Sequence, residues 1–316
     1  MKKLLIFILL LLCVILISAY IFIPAKIEIR EAIFIKANQT IANRFILDDT
    51  NWNRWWPKEN KNYTTTDTIH AEMYAYKNYN YSVAIKMLAG DSIFIKNNSL
   101  QLNSLLNIIP ISPDTIAVQW RGQSETTANP FKRFNNYLQA KKMVNNMDEL
   151  LQSMKMFLEK EENLYGILID QLKVKDTLLV ATKYSFTNYP TTPEIYKLIN
   201  SLKDYISKEG GQETNYPMLN VMHDSGLFKT MVAIPVNKPL ATKNNFLFKR
   251  MVPGKILVTD VKGGDFKANQ AIKLIEMYMN DYHLMCPAIP FQSLVTDRSK
   301  EPDTTKWVTK IFYPVM

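Results

Sequence analysis

The first 23 residues and the rest of this chain carry two different patterns of apolar and polar positions. Leu4–Ile23 is a run of 20 residues without a charge, preceded by Met1-Lys2-Lys3. As a helix rising about 1.5 Å per residue, such a run matches the roughly 30 Å hydrocarbon core of a bilayer. The apolar core of a secretory signal is shorter, about 7–15 residues. Ser18-Ala19 is followed by further apolar residues, a poor cleavage pattern, and Leu12 stands where lipidation of Cys13 would need a small residue. The pattern predicts an uncleaved, single-pass signal anchor over residues 1–23, bounded by Leu4 and Ile23. Lys2 and Lys3 favour an N-terminus inside and a body outside, which in a bacterium is the periplasmic side of the inner membrane.

Beyond residue 23 the spacing alternates between period two and period 3.6. Residues 27–36 read as a strand and Asn38–Leu47 as a short amphipathic helix, followed by a turn-rich stretch, Asp48–Pro57, that holds Trp52, Trp55 and Trp56. Thr68–Lys77, Tyr81–Gly90, Asp91–Leu100 and Thr115–Arg121 read as strands. No Gly or Pro occurs from Phe131 to Leu164, where Met143, Met147, Leu150, Leu151, Met154, Phe157 and Leu158 recur at steps of three and four, predicting one long helix. Strands are predicted at Leu164–Gln171 and Thr177–Phe186. A helix then opens at Pro193 and ends at Gly210-Gly211. Further strands are expected at Met218–Met222, Thr230–Val236, Phe246–Met251 and Lys255–Lys262, then a helix over Phe266–Tyr282, and closing strands at Ala288–Thr296 and Trp307–Pro314. Two helices, each followed by strands, suggest a duplicated α+β unit.

Composition and charge narrow the function classes. With 47% hydrophobic, 11% aromatic and 21% charged residues over 316 positions, the body is globular rather than disordered. The formal charge of +9 is spread along the chain. Nucleic-acid binding is therefore not expected, because it would gather basic residues on one element. Cys13 lies in the apolar run, leaving Cys286 alone in the body, so neither an intrachain disulfide nor a cysteine metal site is expected there. His70, His223 and His283 are far apart, and no metal or cofactor is expected. His283 precedes Cys286 by three residues, but a nucleophilic thiol needs a base aimed at it. No catalytic residue is assigned.

Two stretches resemble known families. Residues 24–163 resemble the SRPBCC (START-like, polyketide-cyclase-like) superfamily, through the Trp52-Asn53-Arg54-Trp55-Trp56-Pro57 turn, the run of strands, and Asn129-Pro130-Phe131 before the long helix. The resemblance implies a helix-grip fold, a curved sheet around a long helix, able to enclose an apolar ligand. Residues 164–316 resemble the GyrI-like effector-binding domain of AraC-type regulators. The match is carried by Tyr216-Pro217-Met218, Val232-Ala233-Ile234-Pro235-Val236, the segment from Val252-Pro253-Gly254-Lys255 to Lys262-Gly263-Gly264-Asp265-Phe266, and the closing Trp307–Val315 strand. It implies two β-α-β-β units around a ligand cleft. The family's penultimate strand carries Glu-x-Tyr with the carboxylate in the cleft. Here Gln292 stands at the Glu position and Leu294 at the Tyr position. Glutamine cannot ionise, which implies neutral or hydrogen-bonding ligands in place of cations.

The fold class expected is thus α+β: a transmembrane helix, a helix-grip domain and a duplicated β-α-β-β domain. The function expected is membrane-anchored, non-catalytic binding of a small hydrophobic or neutral molecule. The alternatives are an enzyme of cyclase or hydrolase type, and a structural module whose cavities are filled by side chains. Candidate ligand contacts are Gln292, Trp307 and Tyr216 in the second domain and Trp52, Trp55 and Trp56 in the first. For each Trp of the trio, core packing is the competing role. Oligomeric state is left open.

Overall fold

The structure, a computed structural model, describes residues 7, 14, 17–18, 20–57, 73–97, 100–125, 127–175, 178–243 and 245–316. Most of the expected membrane span Leu4–Ile23, and residues 68–72 of an expected strand, lie outside the described residues. No helix among the described residues is long and apolar enough to cross a membrane. Contacts divide the chain into Met1–Leu164 and Tyr165–Met316.

In the first unit six antiparallel strands form one sheet. They are β1 (Lys26–Ile35), β2 (Met73–Tyr76), β3 (Tyr79–Met87), β4 (Gly90–Lys96), β5 (Gln101–Ser112) and β6 (Thr115–Glu125), in the order β1-β6-β5-β4-β3-β2. Lys77 and Asn78, both at positive φ, make the two-residue turn that pairs β2 with β3, and their backbone twist suits the right-handed twist of the strands. Gly90 opens β4 where a Cβ would strike the Leu106 carbonyl oxygen on β5. β5 is absent from the sequence reading. Its alternation of buried Leu102, Ser104, Leu106 and Ile108 is sound, but Pro110 and two asparagines mask it. Pro110 is tolerated because the register shifts there, at the hairpin into β6.

The long helix α1 (Pro130–Leu158) starts at Asn129, whose side chain accepts from the Phe131 and Lys132 amides at 3.0 and 3.2 Å. Met143, Met147, Leu150, Leu151, Met154 and Leu158 form its buried stripe. The helix ends six residues before the expected limit, since Glu159-Lys160-Glu161-Glu162 offers nothing to bury. A short separate helix, Glu161–Tyr165, follows. The segment Asn38–Leu47 is helical, α over Gln39–Ala42 and π over Asn43–Leu47.

Burial sets one pH response of this unit. Asp91, fully buried on β4, has one carboxylate oxygen without a partner among the described residues. Burial pushes its carboxyl up from 3.8 to about 6, against the pull of the Met87 amide and of Lys86. Between these values the folded chain holds the proton more tightly than the unfolded one, so stability falls as pH rises from about 4 to about 6. Asp91→Asn is expected to flatten that slope and raise the denaturation midpoint at pH 7. An unchanged slope would refute the assignment.

The second unit contains eight strands: β7 (Asp170–Lys173), β8 (Leu178–Phe186), β9 (Met218–Asp224), β10 (Leu227–Pro235), β11 (Leu247–Arg250), β12 (Lys255–Lys262), β13 (Phe291–Leu294) and β14 (Val308–Val315). The helices are α2 (Thr192–Lys208) and α3 (Asp265–Asp281). The sheet order is β11-β8-β10-β9-β13-β14-β12-β7. It contains two strand-helix-strand-strand halves, β8-α2-β9-β10 and β12-α3-β13-β14, joined where β9 pairs with β13. The capping box Thr191/Glu194 starts α2, and Gly210 at φ 65° ends it. Two expected strands are displaced or shortened. β7 begins at Asp170 because Gly166, at φ 72°, turns the chain first. β13 begins only at Phe291 because Pro287 and Pro290 cannot donate to a ladder.

Candidate functional site

The cavity in the second unit follows from the pleat of β8, β9 and β10. Val180, Leu219, Val232 and Ile234 turn toward α2 and pack with Ile195, Ile199, Leu202 and Ile206. Their neighbours Leu179, Ala181, Met218 and Ala233 turn to the opposite face. That face forms the floor of a cavity of about 470 Å³ that is partly open to solvent. Leu179, Met218, Met231, Ala233 and Phe291 are its apolar lining on the strands, Met251–Gly254 and Pro287–Ile289 contribute two connecting segments, and Pro314–Met316 closes one side. Phe291 is held by stacking on Phe312, ring centroids 4.8 Å apart. Asn220, also in the lining, donates its amide to the Pro290 carbonyl at 2.9 Å.

The lining includes three basic residues, Lys249, Arg250 and Lys255. Lys249 stands directly opposite Leu179 in the β11–β8 ladder, and therefore on the cavity face. Among the described residues, no Asp, Glu, His, Cys, Ser or Thr lines the cavity.

None of the six candidate contacts lies in this lining. Gln292 stands opposite Leu219 and Ile311, on the face away from the cavity, and Leu294, two residues on, packs into the α2 core. Phe291 is the β13 side chain that reaches the cavity. Trp307 is buried, its indole N–H donating to the Glu301 carbonyl at 2.9 Å, with the Arg298 guanidinium 4.6 Å above the ring. Arg298 in turn bonds Asp265 at 2.8 Å and Thr309 at 2.7 Å, so Trp307 packs against a buried structural cation. Tyr216 is half exposed and outside the lining.

Gln292 has a structural consequence instead. It is 9% exposed, and its Oε1 finds no hydrogen-bond partner among the described residues. A buried unsatisfied acceptor costs about 1–3 kcal/mol. Gln292→Met is expected to raise the unfolding free energy by about 1 kcal/mol, and Gln292→Glu to lower it by burying an unpaired carboxylate. Denaturant titration checks both, and a methionine variant less stable than wild type would refute the account.

In the first unit Trp52, Trp55 and Trp56 are 0%, 3% and 6% exposed. Their indole N–H groups donate to the carbonyls of Ile46, Phe45 and Ala75 at 2.7, 2.8 and 3.0 Å. They contact one another and Tyr74, and Trp56 meets Tyr81, which meets Trp120. These rings fill the interior of the unit. Two open hollows of this unit, about 490 and 470 Å³, have mainly polar linings that include Gln101, Asn103, Gln123 and Arg121.

Among the described residues no group of three His, Cys, Asp or Glu could hold a metal. Cys286 donates to the Ala288 carbonyl at 3.0 Å, and partial burial pushes its thiol up, away from the nucleophilic thiolate.

No family model and no curated protein matches the chain. Solved structures similar to it include the EcmrR C-terminal domain, at 15% identity and TM-score 0.42, over 48% of this chain and 98% of that one. SAV2435 bound to tetraphenylphosphonium is similar at 15% identity and TM-score 0.33, over 48% and 94%. The di-domain aromatase/cyclase BexL is similar at 10% identity and TM-score 0.31, over 92% of this chain and 85% of that one. Likenesses this distant do not bear on what the chain binds.

Proposed function

We propose that the chain is a non-catalytic small-molecule-binding protein and that the cavity of the second unit is its binding site. The observation that carries this reading is the mainly apolar, partly open cavity of about 470 Å³, within the roughly 300–1,000 Å³ typical of ligand sites. Its lining has apolar side chains for the body of a ligand and a few polar groups at defined places. Among the described residues it offers no nucleophile–base pair and no carboxylate side chain for general acid–base work. That lining favours binding over turnover. The aromatic filling of the first unit favours a supporting role for that unit.

Membrane anchoring through Leu4–Ile23 belongs to the same proposal and rests on the uncharged 20-residue run behind Lys2 and Lys3. At its end, Arg133 of α1 donates to the Ile23 carbonyl at 2.9 Å and lies 5.1 Å from the Tyr20 ring centre. Alkaline carbonate extraction of membranes from expressing cells tests the anchor, and full release into the supernatant would refute it.

For binding, native mass spectrometry of the full chain after incubation with a panel of apolar small molecules is the direct test. The expected result is adducts of one molecule per chain. A chain that stays at its bare mass across the panel, or that converts a panel member to product, would overturn the reading.

A further inference from the structure

Helix α1 carries apolar side chains on two opposite sides. Its buried stripe, which includes Met143, Met147 and Leu150, packs on the sheet. Phe131, Phe134 and Leu138 are 75%, 54% and 41% exposed, and they stand within about 60° of one another on the side turned away from that stripe. Apolar residues scattered singly over a surface need no explanation, but these three share one helix face. The charge around them has one sign. Residues 126–147 hold Lys132, Arg133, Lys141 and Lys142 and no Asp or Glu. Among the described residues, Lys132, Lys141 and Lys142 belong to no ion pair. Lys132 and Arg133 occupy the first turn with no acidic residue beside them, at the helix end that the backbone dipoles already make positive. Within the chain that placement is unfavourable. This same end of α1 adjoins the uncharged run. The Arg133 guanidinium donates to the Ile23 carbonyl at 2.9 Å and lies over the Tyr20 ring, and the Tyr20 hydroxyl donates to the Ala128 carbonyl just before the helix.

We infer that the first turns of α1 lie on the bilayer surface, with Phe131, Phe134 and Leu138 seated among the lipid headgroups and Lys132, Lys141 and Lys142 on anionic ones. This rests on Leu4–Ile23 being a membrane span. Where that run ends, at Ile23, the first turn of α1 is already within hydrogen-bond reach. Its two phenylalanines are thereby held at the boundary of the hydrocarbon, where an amphipathic helix with Phe and Leu on one side and Lys or Arg around them is favoured. Lys141 and Lys142 fall on either side of the apolar stripe about one turn further along, and their long stems let the ammonium groups reach phosphates while the stripe is buried. An anionic surface also turns the first-turn cations from a cost into a contact, because the helix end and its basic side chains both attract negative headgroups. A second copy of this chain fits the face less well, since a self-complementary contact would bring two sets of the same cations together.

Depth-sensitive fluorescence of the full chain in liposomes tests this. Phe134→Trp puts an indole in the stripe. Leu88→Trp puts one on the exposed β3–β4 turn, at the end of the sheet away from Ile23. Both sites are exposed, so the fold should tolerate the changes, and wild type with its native tryptophans is the blank. The liposomes contain phosphatidylglycerol and a phosphatidylcholine brominated near the headgroup end of its acyl chains. The emission added at position 134 is expected to fall about twofold or more, and that added at position 88 to stay unchanged. Adding Lys132→Gln/Lys141→Gln/Lys142→Gln to the Phe134→Trp chain, or omitting phosphatidylglycerol, is expected to remove about half of the quenching. Full quenching in that charge variant would overturn the role given to the lysines. No quenching at position 134 in chains that resist alkaline carbonate would overturn the inference and leave the anchor standing. A blue shift there that grows with the protein-to-lipid ratio, without quenching, would assign the stripe to a second copy and overturn the lipid assignment. Quenching at position 134 in chains that carbonate releases would overturn the anchor and leave the surface contact standing. Release with no quenching would overturn both.

Discussion

Replacing Trp52 with alanine is expected to lower the stability of the first unit by about 3–5 kcal/mol, the usual range for deleting a buried aromatic side chain. Trp52 is fully buried, and its ring centroid lies 5.4 Å from Trp55, 5.6 Å from Trp56 and 5.4 Å from Tyr74. Removing the indole leaves a void that three other rings cannot fill without leaving their own hydrogen bonds to Phe45, Ala75 and Asp49. It also strips the buried Ile46 carbonyl of its partner. Domains are stable by only about 5–15 kcal/mol, so this one change removes a large share of the total. Guanidinium denaturation followed by circular dichroism measures it. A loss below about 1 kcal/mol would show that the trio is not core and would reopen its role as a ligand surface.

Ala233→Phe is expected to abolish ligand binding in the second unit while leaving it folded. Ala233 sits on β10 between Ala181 of β8 and Met218 of β9, all on the cavity face. A benzyl group there points into the open volume and not into the α2 core, because Val232 and Ile234 alternate to that side. The ring occupies space that the body of a ligand would take, so affinity should fall at least tenfold, about 1.4 kcal/mol. Stability should hold or rise, since apolar surface is added to an apolar enclosure. Calorimetric titration and a thermal melt of the same sample separate the two effects. Wild-type affinity in this variant would place the ligand elsewhere.

Much of the architecture was legible because local periodicity reports which face of an element is buried. The three- and four-residue spacing from Met143 to Leu158 marks α1, and Pro193 and Gly210-Gly211 bracket α2. β5 escaped because Pro110 reads as a breaker until the neighbouring hairpin is seen to carry a register shift. The candidate site was read less well. Motif position brought attention to β13, but on a pleated strand a step of one residue reverses the side, so Phe291 and not Gln292 meets the cavity.

The sequence by itself determined an α+β pattern, the long helix, the paired strand-helix-strand-strand halves and the uncharged run at the N-terminus. Each of these is written in spacing over ten to thirty neighbouring residues. Tertiary structure alone decided where a ligand could sit. The cavity joins Leu179, Met218, Ala233, Lys249, Phe291 and Val315, which are scattered over more than a hundred positions, and its open face exists only because α2 covers the other one.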